Sequence, residues 1–221
     1  MARTEKLRFF CIKYGESVLP ESMVFPDGRN AISVPITFCV YCIRTKDRNI
    51  LVDAGCDTMP GFVMTDFRSP ANALQDIGLT AEEITDVVIS HSHHDHIDAV
   101  RHFRNAVVHI TKAAYEKGKK YIPEAASVAL FEKEHWLTQQ IRILEWGGHA
   151  KGSSVVEITV GDEIHVLAGD ECYTMENIRQ KRPTGSFVEK TRAEEFVEVY
   201  GRAPYCVHTC HDAALKTEKI I

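Results

Sequence analysis

The sequence predicts a mixed α/β (α+β) fold, with two sheets packed face to face and helices outside, in one domain over residues 1–221. Two strand-rich stretches, each followed by helical segments, indicate the two sheets. No repeat, low-complexity segment or Pro/Gly-rich linker divides the chain. With 221 residues, 44% of them hydrophobic, the chain is long enough to bury a sizeable core without disulfide bonds.

The first half of the chain consists mainly of apolar runs bounded by turn residues. The predicted elements are a strand over 7–12, a strand over 36–43 after Pro35, a turn over 46–49, a return strand over 50–53, a helix over 71–77 stopped by Gly78, a capping box from Thr80 to Glu83, and a buried strand over 86–90. The last of these strands runs directly into His91.

Strands and helices mix in the second half. The predicted elements are a strand over 107–110, helices over 111–117 and 124–134, a strand over 141–144, a hairpin of 153–160 with 163–167 across Gly161-Asp162, a helix over 193–200 and a last strand over 205–208. Several strands therefore end shortly before a polar residue.

The charge and hydropathy of the chain exclude several classes of partner. The net charge is −5, and the densest basic cluster, at positions 112–120, is small and is best explained as a solvated helix end. A nucleic-acid partner is therefore not expected. The longest apolar run, 36–43, is too short to span a bilayer, so no membrane partner is expected either. The first residues lack an apolar stretch of signal-peptide length, which favours the cytoplasm.

The cysteines do not predict a disulfide framework or a zinc ribbon. There are seven of them, an odd and scattered set, which fits reduced thiols. Cys39 and Cys42 form a C-x-x-C pair, but the chain has no second one. Buried thiols within a strand are therefore the better interpretation of this pair.

The main chemical signal is the H-x-H-x-D-H array at positions 91–96, where four of the eleven histidines fall within six residues. Imidazole and carboxylate are good ligands for zinc and similar ions. Alternate residues of an extended segment point the same way, so His91 and His93 can hold one ion. Asp95 and His96 can then reach a second ion beside it. His94 lies between the ligands and is expected to line the pocket.

Three further donors follow predicted strands downstream. They are His149 after two glycines, Asp170 after Ala-Gly, and His211 within Cys-His-Asp. A lone histidine is more often structural, but three strand ends and the first array together favour a metal site. A solvated polyhistidine patch is the alternative, and the buried strand before His91 argues against it. His208 competes with His211 for the last position.

These motifs resemble the metallo-β-lactamase superfamily across essentially the whole chain. The segment Val-Asp-Ala-Gly at 52–55 also resembles that family's early strand-end motif. The resemblance implies an αββα sandwich with two divalent ions, most fittingly Zn²⁺, at one edge. It implies that the first ion is held by His91, His93 and His149, and the second by Asp95, His96 and His211. Asp170 would bridge the two ions, and Asp53 would orient a ligand histidine. The loop around His149 departs from the family, which often carries prolines there.

The donor set favours catalysis over a structural role, because structural zinc sites are usually closed and rich in cysteine. Two ions bridged by Asp170 could share one hydroxide and polarise a carbonyl oxygen. True β-lactamases of this fold commonly lack the bridging aspartate, and the family's tRNA-processing nucleases usually have longer, more basic chains. Among the reactions of the family, hydrolysis of a small-molecule lactone or other ester is therefore the expected one. The sequence does not predict the oligomeric state.

Tyr173, three residues after Asp170, resembles a tyrosine of the N-acyl homoserine lactonases, the quorum-quenching branch of the family. The resemblance implies that its phenol steadies the oxyanion while Asp95 helps to return a proton to the leaving alkoxide, so that Asp95, Asp170 and Tyr173 are the catalytic candidates. Tyr173 could instead pack on a helix start. Four apolar residues could line an acyl-chain groove or belong to the core: Met23, Phe25, Phe62 and Phe67. Alternative functions are a thioester hydrolase of the glyoxalase II type and a non-catalytic metal-dependent sensor.

Overall fold

The computed structural model describes residues 7–59, 61 and 63–221. In this part of the chain the strands are β1 (Arg8–Pro20), β2 (Ser33–Arg44), β3 (Asn49–Val52), β4 (Asp86–Val88), β5 (Val107–Thr111), β6 (Ser127–Phe131), β7 (Glu134–Trp136), β8 (Ile141–Glu145), β9 (Ser154–Val160), β10 (Glu163–Leu167), β11 (Tyr205–His208) and β12 (Glu218–Lys219). The α-helices are α1 (Glu21–Val24), α2 (Pro70–Ala73), α3 (His94–Ile97), α4 (Lys112–Gly118), α5 (Met175–Gln180) and α6 (Lys190–Tyr200).

The described strands form two mixed sheets. The larger has seven strands in the order β12-β1-β2-β3-β4-β5-β6, and the smaller has five in the order β11-β10-β9-β8-β7. In the larger sheet, β1 to β3 are antiparallel and β3 to β6 are parallel. In the smaller sheet, β11 is parallel to β10 and the other pairs are antiparallel.

Side-chain alternation along the strands builds four layers. On β3, Ile50 and Val52 enter the apolar cluster between the two sheets, and Leu51 packs on the opposite face. On β9, Val156 faces the space between the sheets, and Val155 belongs to a cluster formed with α6. Each sheet therefore buries both of its faces, and the predicted αββα sandwich is confirmed.

Most predicted elements are present, some with different bounds. The hairpin of β9 and β10 is confirmed, and so is the capping box of Thr80 and Glu83, which opens a 3-10 turn over Ala81–Glu83. The predicted strand over 7–12 is longer, because β1 pairs with β2 as far as Pro20.

The predicted helix over 124–134 is wrong. This segment contains β6 and the beginning of β7. Alanine and glutamate favour a helix locally. However, β6 lies in parallel register beside β5, and β7 pairs with β8, so sheet hydrogen bonds override the local preference. Each pairing extends the edge of its sheet by one strand.

The carboxyl ends of several strands converge at one edge of the sandwich. β3 leads into Asp53, β4 into His91, β8 into His149 and β10 into Asp170, and His211 follows β11. Since β3 and β4 run parallel, and β10 and β11 run parallel, these residues leave each sheet on the same side. All seven cysteines lie in the described part and are free thiols. Among the described residues, no helix is long and apolar enough to cross a membrane.

Candidate metal centre

The end of β3 holds the loop that carries the histidine array. Asp53 adopts a positive φ of 62°, which turns its carboxylate toward this loop. One oxygen accepts from the Ser90 backbone N at 2.7 Å, and the other accepts from the Ser90 hydroxyl at 2.9 Å. The second oxygen also lies 2.7 Å from His96 Nδ1. Asp53 therefore orients His96, as the resemblance implied.

Three imidazole nitrogens meet in a first cluster. His93 Nδ1 lies 3.0 Å from His91 Nε2 and 2.9 Å from His149 Nε2. A neutral imidazole has one donor and one acceptor nitrogen, so hydrogen bonds alone cannot satisfy three converging ring nitrogens well. The ligand atoms of these three residues and of Asp170 all lie within 4.8 Å of one another. This arrangement fits a divalent cation at the centre of the cluster.

A second cluster lies on the other side of Asp170. His96 Nε2 and His211 Nε2 are each 3.1 Å from Asp170 Oδ1. Asp95 Oδ2 lies 3.4 Å from His96 Nε2 and 3.5 Å from His211 Nε2. His96 Nε2 is buried and makes no well-aligned hydrogen bond with the described residues, although Asp170 Oδ1 is 3.1 Å away. A buried, unpaired nitrogen is costly unless a ligand binds it.

Asp170 turns one carboxylate oxygen to each cluster. Whereas Oδ1 faces the second cluster, Oδ2 lies 3.3 Å from His149 Nε2 and 3.6 Å from His91 Nε2. Burial raises the pKa of Asp170, but His96, His211 and His149 outweigh it and hold that pKa well below its usual range. The carboxylate is therefore ionised and suitably placed to bridge two cations.

Hydrogen bonds behind the rings direct the free nitrogens into the site. His149 Nδ1 donates to the Ser186 carbonyl at 2.6 Å, and His211 Nδ1 donates to the Thr37 carbonyl at 2.9 Å. Each ring therefore directs its Nε2 into the cluster. Burial lowers the pKa of His211, but the neighbouring Cys210 and Asp170 outweigh it and raise that pKa well above its usual value, so a cation bound there would replace a proton on that ring. Burial also lowers the pKa of His149, and it lowers that of His91 well below its usual value. Neutral rings are the form that binds metals.

The structure thus brings together all seven residues predicted as ligands, and this donor set fits two divalent ions. His208, the rival of His211, lies elsewhere: its Nε2 is 3.0 Å from His165 Nδ1, and its ring packs edge-on against Phe9. It joins neither of the clusters found among the described residues.

Tyr173 lies at the same site. It is one of the residues around a cavity of about 210 Å³, whose walls combine Leu19, Met23, Ile36, Phe38, Met59, His93, His94, Asp95, Asp170, Tyr173, Ser186 and His211. Its ring centroid is 5.8 Å from that of His149 and 5.3 Å from that of His211. Burial raises the pKa of the phenol well above 10, so the phenol remains protonated and can donate a hydrogen bond. Tyr173 also belongs to the buried core and directly precedes Thr174, the N-cap of α5. The alternative prediction, that Tyr173 packs on a helix start, therefore describes part of its environment.

The apolar residues predicted for a groove separate into different environments. Met23 lines the cavity. Phe25 packs against the core, with the Arg182 guanidinium 4.0 Å from its ring centroid, and Phe67 is 40% exposed. Phe62 lies outside the described residues. His94 lines the cavity as expected, and its Nε2 lies 2.6 Å from the carbonyl oxygen of Thr58.

Sequence reasoning gave no role to Glu171, which supports the loop of His149. Its carboxylate accepts from the Gly148 backbone N at 3.1 Å and from the His149 backbone N at 3.0 Å, and the Ser153 hydroxyl also donates to it. A β-carbon at Gly148 would collide with this carboxylate. Burial raises the pKa of Glu171 to about 7. In the sequence, the one sign of this role was that Glu171 directly follows Asp170.

Cys210 also lies in the site, although its role could not be assigned from the sequence. Its sulfur is 3.4 Å from Asp170 Oδ1 and within 4.8 Å of ligand atoms of His96 and His211. Its position beside His211 in the chain was the available signal. Adjacent residues usually point in different directions, so the spacing did not predict that both would face the same carboxylate.

Comparisons with known proteins show the family and agree with the fold. Residues 40–210 match the family model described as the metallo-beta-lactamase superfamily. The chain is 25% identical over 186 residues to the N-acyl homoserine lactonase AiiB of Agrobacterium fabrum; the match covers 66% of each chain, just under two thirds of that relative. A solved quorum-quenching N-acyl homoserine lactone hydrolase superposes with a TM-score of 0.82 at 20% identity, covering 96% of this chain and 94% of that one. The dizinc quorum-quenching lactonase AidC superposes with a TM-score of 0.77 at 17% identity, covering 97% and 90%.

Proposed function

Since the chain belongs to the metallo-β-lactamase superfamily, we propose that it is a metal-dependent hydrolase that opens a lactone ring of the N-acyl homoserine lactone type. The observation that carries the proposal is the shared cavity: at least one donor from each cluster, a protonated phenol and an apolar wall face one small space. The names of AiiB and AidC support the same substrate class. The substrate is then a small ester whose acyl part is apolar.

We propose two divalent ions, most fittingly Zn²⁺, as the cofactors. The first would be held by His91, His93 and His149, and the second by Asp95, His96 and His211, with Asp170 shared between them. When bound, the ions would polarise a carbonyl oxygen and make hydroxide available near neutral pH. The buried His96 Nε2, which makes no well-aligned hydrogen bond with the described residues, and the two oxygens of Asp170, each directed at one cluster, support this assignment.

The residues of the chain have separate tasks in this reaction. The Tyr173 phenol lines the cavity and stays protonated, so it can donate to the lactone carbonyl oxygen as negative charge develops there. Asp95 lies on the cavity wall beside the second cluster, where it can return a proton to the alkoxide of the opened ring. Leu19, Met23 and Ile36 form part of the apolar wall, which suits an acyl chain.

The test is the hydrolysis of homoserine lactones, aliphatic lactones and thioesters by wild-type protein and by Tyr173→Phe. We expect the variant to keep its metals and to open lactones about ten- to a hundredfold more slowly, because it lacks one oxyanion donor. Tyr205→Phe is the matched control, since Tyr205 packs on Tyr200 and is not among the described residues that line the cavity.

Each alternative function has its own outcome in this test. Fast cleavage of a glutathione or coenzyme A thioester, with slow or no lactone opening, would favour the thioesterase. No hydrolysis of any ester by fully metal-loaded protein would leave the sensor. Lactone turnover that is unchanged in Tyr173→Phe would remove the phenol from the mechanism.

A further inference from the structure

We propose that Cys210 is a ligand of the second ion, bound through its sulfur beside His96, His211 and Asp170. This inference rests on the proposed metal centre and adds a donor to it. It makes the two sites chemically different: the first offers nitrogen and oxygen ligands, and the second also offers a thiolate. The second ion would therefore be the one with the stronger preference for zinc over magnesium or manganese.

The spacing of the donor atoms carries the inference. Zn–S bonds are about 2.3 Å and Zn–O bonds about 2.0–2.2 Å, so sulfur and oxygen bound to one ion at an angle of about 110° lie about 3.5 Å apart. Cys210 Sγ lies 3.4 Å from Asp170 Oδ1, the oxygen that faces the second cluster. The two imidazole nitrogens of that cluster are each 3.1 Å from the same oxygen, which is also near the separation of ligands on one ion.

A second observation points to an ion at this place. His96 Nε2 belongs to the same group of donors as the sulfur, and it is buried without a well-aligned hydrogen bond to the described residues. The position of Cys210 is also fixed from behind. Its carbonyl accepts from the Cys39 backbone N at 3.2 Å, and the residue is only 3% exposed. This hydrogen bond fixes the backbone position from which the sulfur reaches the cluster.

The other buried cysteine near the site is oriented differently. The thiol of Cys172 donates to the Thr174 carbonyl at 3.2 Å, within the turn that opens α5. Cys172 belongs to the apolar cluster formed with α6. Among the described cysteines, Cys210 is the one that belongs to a group able to hold a metal. Cys172 therefore provides a matched control.

When the ion binds, it takes the place of the thiol proton on the sulfur of Cys210. The S–H bond breaks, the proton leaves to solvent and the sulfur keeps the electron pair that it shares with the ion. Asp95 Oδ2, at 3.4 and 3.5 Å from the two imidazole nitrogens, offers a further oxygen donor to the same ion. The second ion would then be held by two imidazoles, two carboxylates and one thiolate.

The experiment is spectroscopic. Metal-free protein is reloaded with Co²⁺, and the near-ultraviolet absorption is recorded for wild type, Cys210→Ala, Cys210→Ser and Cys172→Ala. We expect a sulfur-to-cobalt charge-transfer band in wild type and Cys172→Ala, and its loss in both Cys210 variants. Serine keeps the shape of the side chain, so it preserves the fold if alanine does not. X-ray absorption of the zinc-loaded protein should show one sulfur neighbour at about 2.3 Å for every two ions.

The outcomes separate this inference from the proposed function. Two bound ions with only nitrogen and oxygen neighbours, or a charge-transfer band that persists in Cys210→Ser, would overturn the cysteine ligand and leave the metal centre intact. Uptake of less than one ion per chain would overturn the metal centre and the inference with it.

Discussion

Glu171 provides a sharp test of how the metal centre is supported. We predict that Glu171→Gln weakens metal binding at the first cluster while the donors of the second cluster keep their ion. The reason is that the carboxylate fixes the backbone of Gly148 and His149, and His149 is a proposed ligand of the first ion.

The size of the effect follows from the hydrogen bonds. A glutamine oxygen can accept from one of the two backbone N–H groups, but its NH₂ group cannot accept from the other. One buried N–H is then left unpaired, which costs about 1–3 kcal/mol. In Glu171→Ala both N–H groups lose their partner, at about twice that cost. Loss of a residue that supports a ligand typically reduces metal affinity by about 10- to 100-fold.

The assay is a chelator competition titration with a thermal unfolding curve for each variant. Glu157→Gln is the control, because Glu157 is also buried but pairs with Arg142 and Tyr200 away from the clusters. We expect the control to lower stability without changing metal affinity. If Glu171→Gln and Glu171→Ala both bound two ions with wild-type affinity, the proposed support of His149 by Glu171 would be wrong.

Two further predictions address the site and the core. Elemental analysis should find two ions per chain in wild type. Asp170→Ala should lose nearly all activity with little change in the unfolding midpoint, because the variant loses the residue shared by the two sites while the sheet core stays packed. Near-normal turnover of this variant with two ions bound would contradict the ligand assignment. Burial lowers the pKa of His208 to about 4, so the unfolded state binds this proton more readily and stability falls as pH drops below about 6.5. Between about pH 7 and pH 5 this group should cost about 2 kcal/mol, measured as the difference in urea unfolding between wild type and His208→Gln, and equal pH dependence in the two proteins would refute it.

Local patterns in the sequence were sufficient to predict much of the fold. The hairpin across Gly161-Asp162 and the capping box at Thr80 depend on residues a few positions apart, and both are present. The prediction of a helix over 124–134 was wrong because this segment pairs with β5 and β8. Neither partner strand belongs to the short stretch of sequence from which the helix was predicted. The extension of β1 to Pro20 also depends on a partner strand, in this case β2.

The sequence by itself identified the residues proposed to hold the metals, because the H-x-H-x-D-H array and the three later donors are recognised by residue type and by their place after a strand. Only the tertiary structure decided how these donors combine. It separated His208 from His211, turned one oxygen of Asp170 toward each cluster and brought Glu171 and Cys210 into contact with the site. The physical reason is that a side-chain contact across two sheets depends on register and orientation over the whole fold, which no short stretch of sequence encodes.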